Sequence, residues 1–434
     1  MNISQLYQLF REHPEVTTDS RNCPADSIFF ALKGEKFNGN LYAQKALEAG
    51  CALAVVDEAE VIPQGDVRFI LVDNVLQALQ ALASEHRRNF RHPVVQITGT
   101  NGKTTTKELI AAVLSQSYNV LFTQGNLNNH IGVPLTLLRL RDDHNMAIIE
   151  TGANHPGEIS LLADIVEPDY GLITNVGKAH LEGFGSFEGV VKTKGELFDY
   201  LRLHSGKTAF INASNPLLKD MSKGLPTVSY ATESLTGTLV NGQVTSCDPY
   251  LAFTWKKTDE SISHEITTHL VGAYNIYNVL AAACVGTHFG VSPEAISRAI
   301  GQYVPQNHRS ELRQTGSNRL IVDAYNANPS SMELAISNFA QMKASPKMAI
   351  LGEMRELGAA SDEEHRTVIA QLQKAQFDEV WLVGQAFINA GSPYRCFANV
   401  GEVMEAIAQS KPKGRHILIK GSNGTQLYQL PDLL

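Results

Sequence analysis

Six consecutive residues, Gly99-Thr100-Asn101-Gly102-Lys103-Thr104, carry the plainest chemistry in the chain. Glycines let a backbone turn so that its N–H groups point inward, and a helix starting there adds the positive end of its dipole. Such a nest binds phosphate. Within it Lys103 reaches the β and γ phosphates of a nucleotide, and the Thr104 hydroxyl is placed for Mg²⁺. The apolar run 94–98 precedes the loop, and Leu109, Ile110, Val113 and Leu114 share one helical face after it. This strand–turn–helix order is the context the motif requires. The full pattern G-x-x-x-x-G-K-[ST] would need glycine at position 97, where Ile97 stands, so the loop is a shortened variant. A chance G-K-T at a helix start is the bland alternative, and the ordered elements count against it. A guanine-nucleotide switch would carry N-K-x-D, which is missing from the sequence.

Other polar residues fall at the ends of apolar strands. Glu150 closes the run 147–150 and leads into Thr151-Gly152-Ala153-Asn154. Parallel sheets hold ligands at the C-terminal ends of their strands. Without the phosphate loop nearby, an N-cap or solvated acid would serve equally well as a reading. His180 follows the strand 172–175, and a lone loop histidine is more often hydrogen-bonded than metal-bound. Lys192 and Lys194 open a helix with Phe198 on its apolar face, and by spacing alone each is a solvated lysine.

Three segments must position these groups. Residues 1–93 alternate short strands (28–32, 52–56, 69–72) with helical stretches (41–49, 75–90), and His92-Pro93 marks a boundary because a residue before proline tends to leave the helix. Residues 94–304 hold the phosphate loop, strands at 147–150 and 172–175, an antiparallel insertion over 237–271 and a helix over 274–289. Residues 305–434 alternate strand and helix, which implies a parallel sheet covered on both faces. The fold class is therefore α/β, in three domains, with 94–304 binding ATP.

Composition sets outer limits. The 434 residues are 43% hydrophobic and 18% charged, an ordinary globular mix. A net charge of −8 argues against a nucleic-acid partner. Five cysteines are scattered singly, which fits reduced thiols rather than a disulfide framework or zinc site. No stretch approaches the ~18 apolar residues of a membrane span. A cytoplasmic monomer without membrane insertion is the expectation.

With these residues on the page, the sequence resembles the Mur ligase family, the cytoplasmic ATP-dependent amide ligases of peptidoglycan precursor synthesis. Thr98 through Thr105 is similar to the family's own shortened phosphate loop, and motifs from all three segments match. Three stretches resemble the branch that adds a dipeptide: Gly125 to Pro134, Asp323 to Met332 (D-A-Y-N-A-N-P-S-S-M), and Leu351 to Gly358 with His365 downstream. The resemblance implies a P-loop-type central ATPase domain and a Rossmann-like C-terminal domain.

It also implies roles. Gly99, Thr100, Asn101, Gly102, Lys103, Thr104 and Thr105 would cradle ATP. Glu150 and His180, with Thr104, match metal ligands, and Lys194, chosen over Lys192 for its place one turn before the aromatic in K-G-E-[IL]-F, matches a lysine modified to a carbamate. Asn275 and Asn278 match a motif near the adenine, Arg309 an arginine approaching the phosphates, and Asp323 an acid near the ribose. Tyr325, Asn326 and Asn328 resemble contacts for the incoming dipeptide, and Asn126, Asn128 and Asn129 belong to the loop at 125–134 that marks the same substrate. Lys420-Gly421-Ser422 resembles a K-G-S motif of the last strand. Thr18, Ser20 and Arg21 lie in a [ST]-D-S-R loop that receives a uridine nucleotide. Two departures stand out: Tyr274 replaces a histidine, and the loop 34–40 around Asn38 lacks an acidic D-G-H core.

The implied reaction joins UDP-N-acetylmuramoyl-tripeptide to D-alanyl-D-alanine through an acyl phosphate, with ATP and Mg²⁺, giving the pentapeptide precursor used in cell-wall biogenesis. A Mur-type or folylpolyglutamate-type ligase adding one amino acid, and a nucleotide-gated binding protein, are the alternatives.

Overall fold

The computed structural model describes residues 2–305 and 309–434. Its backbone forms three main sheets. The first is all parallel, with Val16–Thr17, Ile28–Phe30, Leu53–Val56 and Phe69–Leu71 in that spatial order. The second has nine strands and is parallel over the seven from the edge strand Val120–Phe122 to Val240–Cys247. Val94–Thr98 lies deep inside it, between Tyr170–Ile173 and Met146–Glu150. All five residues of Val94–Thr98 are buried, as a strand covered on both faces requires. The third sheet is parallel except for the edge strand Glu311–Gln314, which pairs antiparallel with Arg319–Asp323.

Several expectations need correction. The strands Val240–Cys247, Tyr250–Lys257 and His264–Val271 are antiparallel to one another, as the alternation predicts. They are not an insertion, because Val240–Cys247 pairs with Thr227–Ala231 and so extends the central sheet. The helix carrying the two lysines starts earlier than their spacing implies. It spans Phe187–Leu203, capped by Ser186 accepting from the Gly189 N–H at 3.2 Å, so Lys192 and Lys194 sit mid-helix. The edge strand Glu311–Gln314 has no clear apolar alternation and escapes the sequence reading.

The first two sheets share a core. Phe10, Leu79 and Leu82 from the N-terminal segment pack in one buried cluster with Val94, Leu121, Ile149 and Leu162. Arg87 fastens this junction: its guanidinium donates to Val166 O at 2.9 Å, Phe90 O at 2.9 Å and Glu167 O at 2.8 Å, and pairs with Asp169 at 3.0 Å. Burial lowers its pKa from the ordinary arginine value.

The phosphate-loop helix, Lys103–Leu114, rests on the helix Ile276–His288. Gly286 lies where the two approach, and a side chain there would collide with Val113 Cγ1 and crowd Ile296. Overpacking at such a contact typically costs 1–3 kcal/mol. We expect Gly286→Val to lower unfolding free energy by about 2 kcal/mol in urea titrations, with partial recovery in Gly286→Val/Val113→Ala. A Gly286→Val variant as stable as the parent would show that this contact is loose.

Candidate active site

The C-terminal ends of three neighbouring parallel strands converge. Thr98 feeds the loop, Glu150 ends the strand on one side, and Thr174 and Asn175 follow the strand on the other. Gly99 and Gly102 have φ of 138° and 77°, values that favour glycine. Thr174 Oγ1 donates to Asn101 O at 2.7 Å, Asn175 Nδ2 donates to the same oxygen at 2.8 Å, and Asn175 Oδ1 accepts from Asn101 N at 3.0 Å. The neighbouring strand thus braces the loop from outside. Asn175 was visible only as one more polar residue after a strand, and its bracing role needed tertiary contact to be seen.

Lys103 begins the helix and folds back onto the loop, donating to Gly99 O at 2.9 Å and Thr100 O at 3.1 Å. Burial, and then the positive charge of Arg309, push its pKa below the ordinary lysine value. Lys194 is 2% exposed, whereas Lys192 is exposed, which separates the two candidates. The Lys194 amine contacts Ala153 O at 3.4 Å and the Phe184 ring at 5.3 Å. Burial and the Lys103 charge pull its pKa down to about 7. Lys103 and Arg309 line one cleft, the Arg309 charge acts on Lys103 and the Lys103 charge on buried Lys194, and Glu150 is the acid that offsets Lys103. A cleft holding mutually repelling cations is built for a polyanion.

Glu150 is 1% exposed, and its Oε1 accepts from Asn128 Nδ2 at 2.8 Å and Thr104 Oγ1 at 3.2 Å. A hydroxyl and a carboxylate side by side suit Mg²⁺, which takes one or two protein oxygens and completes its shell with phosphate and water. The residues present therefore fit that ion. His180 points elsewhere. It has a left-handed backbone (φ 50°) and its Nδ1 pairs with Glu356, itself at φ 61°. The His180 contact holds the Glu356 carboxyl below the usual range. Among the described residues, no three His, Cys, Asp or Glu side chains gather as a ready metal site. Glu150, His180 and Lys194 thus do not form one ligand set here, because His180 is held by Glu356 and Lys194 lies under Ala153 and Phe184.

The third sheet closes the other side of a cleft of ≈ 940 Å³. Asp323 and Lys420 end adjacent parallel strands in register, and Lys420 Nζ donates to Asp323 Oδ2 at 2.6 Å and Asn326 O at 3.1 Å. The Arg309 guanidinium stacks 3.7 Å from the Tyr325 ring centroid. The cleft is lined by all the sequence-predicted loop residues from Thr100 to Thr105, and by Asn126, Asn128, Asn129, Glu150, His180, Asn275, Asn278, Arg309, Asp323, Tyr325 and Asn326. Gly99 lies behind it. Thr18, Ser20 and Arg21 are in the N-terminal lobe after the strand Val16–Thr17, where Arg21 pairs with Asp19 at 2.8 Å.

Some predicted contacts are spent inside the protein. Asn328 Oδ1 caps the helix Pro329–Gln341 by accepting from Ser331 N at 2.9 Å, and its Nδ2 donates to Asn101 Oδ1 at 2.8 Å. The residue expected to greet a dipeptide instead ties the third domain to the phosphate loop. Asn129 Oδ1 similarly accepts from Gly132 N at 2.8 Å. Asn278 accepts from Thr106 Oγ1 at 3.0 Å and donates to Asn275 Oδ1 at 2.8 Å, locking the two central helices together. Tyr274, in place of histidine, is half-buried and shares a hydrogen bond with Ser310 at 3.0 Å. Asn38 donates to Glu58 at 2.9 Å and accepts from Asn40 Nδ2 at 2.9 Å.

Because Asn328 both caps and bridges, Asn328→Ala should cost about 1 kcal/mol of stability, the usual value of an N-cap. Asn328→Ser keeps a cap but loses the bridge, and should restore stability without restoring the affinity for whatever the closed cleft holds. Equal stability in Asn328→Ala and the parent, by denaturant titration, would remove the cap from this account.

Comparison with known proteins agrees with the geometry. Mur ligase family models match three stretches: the middle domain at residues 97–286, the glutamate ligase domain at 308–423 and the catalytic domain at 14–87. The chain is 34% identical over 429 residues to UDP-N-acetylmuramoyl-tripeptide–D-alanyl-D-alanine ligase of Bacillus subtilis strain 168, covering 96% of this chain and 92% of that protein. It is 36% identical over 378 residues to the enzyme of the same name from Escherichia coli K12, covering 85% and 81%. The crystal structure of MurF from Acinetobacter baumannii superposes with a TM-score of 0.87 at 28% identity, covering 100% of this chain and 98% of that one.

Proposed function

The chain belongs to the Mur ligase family, and from that membership we propose that it joins UDP-N-acetylmuramoyl-tripeptide to D-alanyl-D-alanine while converting ATP to ADP and phosphate. The observation that carries this reading is one cleft lined on one side by a glycine-turned helix start with Lys103 and on the other by Arg309, stacked on Tyr325, and Asn326. A polyphosphate satisfies the first wall, and a small peptide amine fits between it and the second.

A carboxylate accepts an amine poorly because its oxygen is a bad leaving group. The tripeptide carboxylate oxygen therefore attacks the γ-phosphorus, the bond to the bridging oxygen breaks, and ADP departs. The dipeptide amine then attacks the acyl carbon, the C–O bond to phosphate breaks, and the nitrogen releases a proton. Phosphoryl transfer asks the protein for alignment and charge neutralisation rather than covalent help. Lys103, Arg309 and the Gly99–Gly102 backbone supply them. Thr104 and Glu150 would hold Mg²⁺, which neutralises the phosphate oxygens when bound. Asn275 and Asn278 flank the adenine side, Asp323 the ribose, and Tyr325 and Asn326 the dipeptide. The loop with Thr18, Ser20 and Arg21 takes the uridine nucleotide. The divisions at 93/94 and 304/305 separate uridine, ATP and dipeptide domains.

Lys194 is proposed to carry a carbamate. Its neutral amine adds CO₂ and loses a proton, giving an anionic group with two oxygens. A buried amine with no carboxylate partner gains more from that change than a solvated one does. Those oxygens would suit a second Mg²⁺, and His180 and Glu150 would join them only once His180 leaves Glu356. Among the described residues no helix is long and apolar enough to cross a membrane. We place the enzyme in the cytoplasm, acting as a monomer in cell-wall synthesis and so in cell shape and division.

The direct test is ADP release against a panel of UDP-muramoyl peptides and amine acceptors. Turnover should require both the tripeptide and D-alanyl-D-alanine, and should vanish in a folded Lys103→Ala variant. Efficient use of free alanine or glutamate with no turnover of the dipeptide would sink the assignment. Lys194→Ala should lose nearly all activity and recover part of it with added short carboxylates, while Lys192→Ala stays near normal. A fully active Lys194→Ala enzyme would end the carbamate proposal.

A further inference from the structure

Lys107 sits one turn beyond Lys103 on the phosphate-loop helix, and no step above uses it. Its side chain is 1% exposed and, among the described residues, its Nζ has no hydrogen-bond partner. The nearest anions are Glu108 Oε1 at 3.5 Å and Glu150 Oε2 at 3.9 Å, and the Phe122 ring centroid is 5.7 Å away. Glu150 is correspondingly lopsided. Its Oε1 has two donors, Asn128 and Thr104, while its Oε2 is buried, without a hydrogen bond, and faces Lys107. Glu108 is held from its other oxygen by the Tyr303 hydroxyl at 2.6 Å.

A buried lysine lacking hydrogen bonds is poor stability design. Desolvating the cation is unfavourable, and 3.9 Å is too long for a bond to repay it. Methionine would fill the same space without that desolvation, but would leave the buried Glu150 carboxylate uncompensated. What Lys107 does supply is charge beside the Glu150 oxygen that has no hydrogen-bond donor among the described residues. The oxygen beside the Thr104 hydroxyl is left to face the cleft.

We propose that Lys107 is a positioning residue that pins and electrically balances Glu150 from behind, so that the Thr104–Glu150 pair takes a divalent cation together with nucleotide phosphates and is a weak trap for the bare ion. The inference rests on the reading of Glu150 as a cation ligand. Removing the lysine leaves a buried carboxylate uncompensated. The pair of oxygens then attracts a bare cation more strongly, and the nucleotide adds less.

The test uses Mn²⁺ as the probe, its free concentration followed by electron paramagnetic resonance, with the full-length protein and no nucleotide. Lys107→Met should bind Mn²⁺ roughly tenfold or more tightly than the parent, the scale expected for losing one charge near 4 Å in a partly screened site. Adding a non-hydrolysable ATP analogue should then enhance Mn²⁺ binding less than it does in the parent. Lys107→Gln, which keeps a polar group, should behave like Lys107→Met and covers the case in which the methionine variant fails to fold. Lys107→Met should also melt at a lower temperature without cation, and Lys107→Met/Glu150→Gln should regain that loss, since no unpaired carboxylate remains. A residue that merely fills space would change melting but not bare-ion affinity, and its effect would add to that of Glu150→Gln. Unchanged Mn²⁺ affinity in both Lys107 variants, with binding lost in Glu150→Gln, overturns the positioning role and leaves the cation reading intact. Unchanged nucleotide-dependent Mn²⁺ binding in Glu150→Gln overturns both.

Discussion

Everything in the cleft depends on how closely the backbone between Gly99 and Gly102 can approach its neighbours. A Cβ on Gly102 would sit 2.8 Å from Asn278 Oδ1, and one on Gly99 would collide with Thr174 Oγ1. Only a chain without side chains at both points lets the loop press against the neighbouring strand on one side and the helix Ile276–His288 on the other. That pressure aims the start of the helix Lys103–Leu114 into the cleft, where its unpaired N–H groups and dipole favour anions. Asn175 and Thr174 then hold the loop in place when no phosphate does.

The second constraint is electrostatic. Burial first, and then a neighbouring positive charge (Arg309 for Lys103, Lys103 for Lys194), lower the pKa values of both lysines. Such a site is unfavourable alone and becomes favourable when a polyphosphate fills it. Glu150 is the counterweight within the protein, and the two donors at its Oε1, Asn128 and Thr104, fix which way that oxygen faces. Local instability of this kind is how a folded protein stores affinity for its ligand.

The third is mechanical. The C-terminal domain meets the phosphate loop through Asn328 with Asn101, the Ser330 hydroxyl accepting from Lys178 N at 3.1 Å, and the Lys178–Glu364 ion pair at 2.7 Å. His180 and Glu356 add a contact in which both partners hold left-handed backbones. These contacts set the distance between the wall that binds phosphate and the wall that binds the amine. An amide-forming reaction needs that distance fixed, since alignment of the two reactants supplies much of the rate.

The sequence by itself determined the loop, because glycines at two places before a lysine, between an apolar strand and an amphipathic helix, have few other uses. It determined the alternating α/β order, because periodicity is a local property. It also singled out Glu150, Arg309 and Asp323 once the family resemblance was recognised. By spacing it left Lys192 and Lys194 as two solvated lysines; the family resemblance favoured Lys194, and the folded helix Phe187–Leu203 buries that one while exposing the other. It read Asn328 as a ligand contact, while the fold uses both ends of its amide within the protein. It passed over Lys107 and Asn175, whose meaning lies in partners 43 and 74 residues away (Glu150 and Asn101). Local chemistry is written in neighbouring residues, but charge balance, burial and the exhaustion of a hydrogen-bonding group depend on what the chain brings alongside. Those are properties of the tertiary structure.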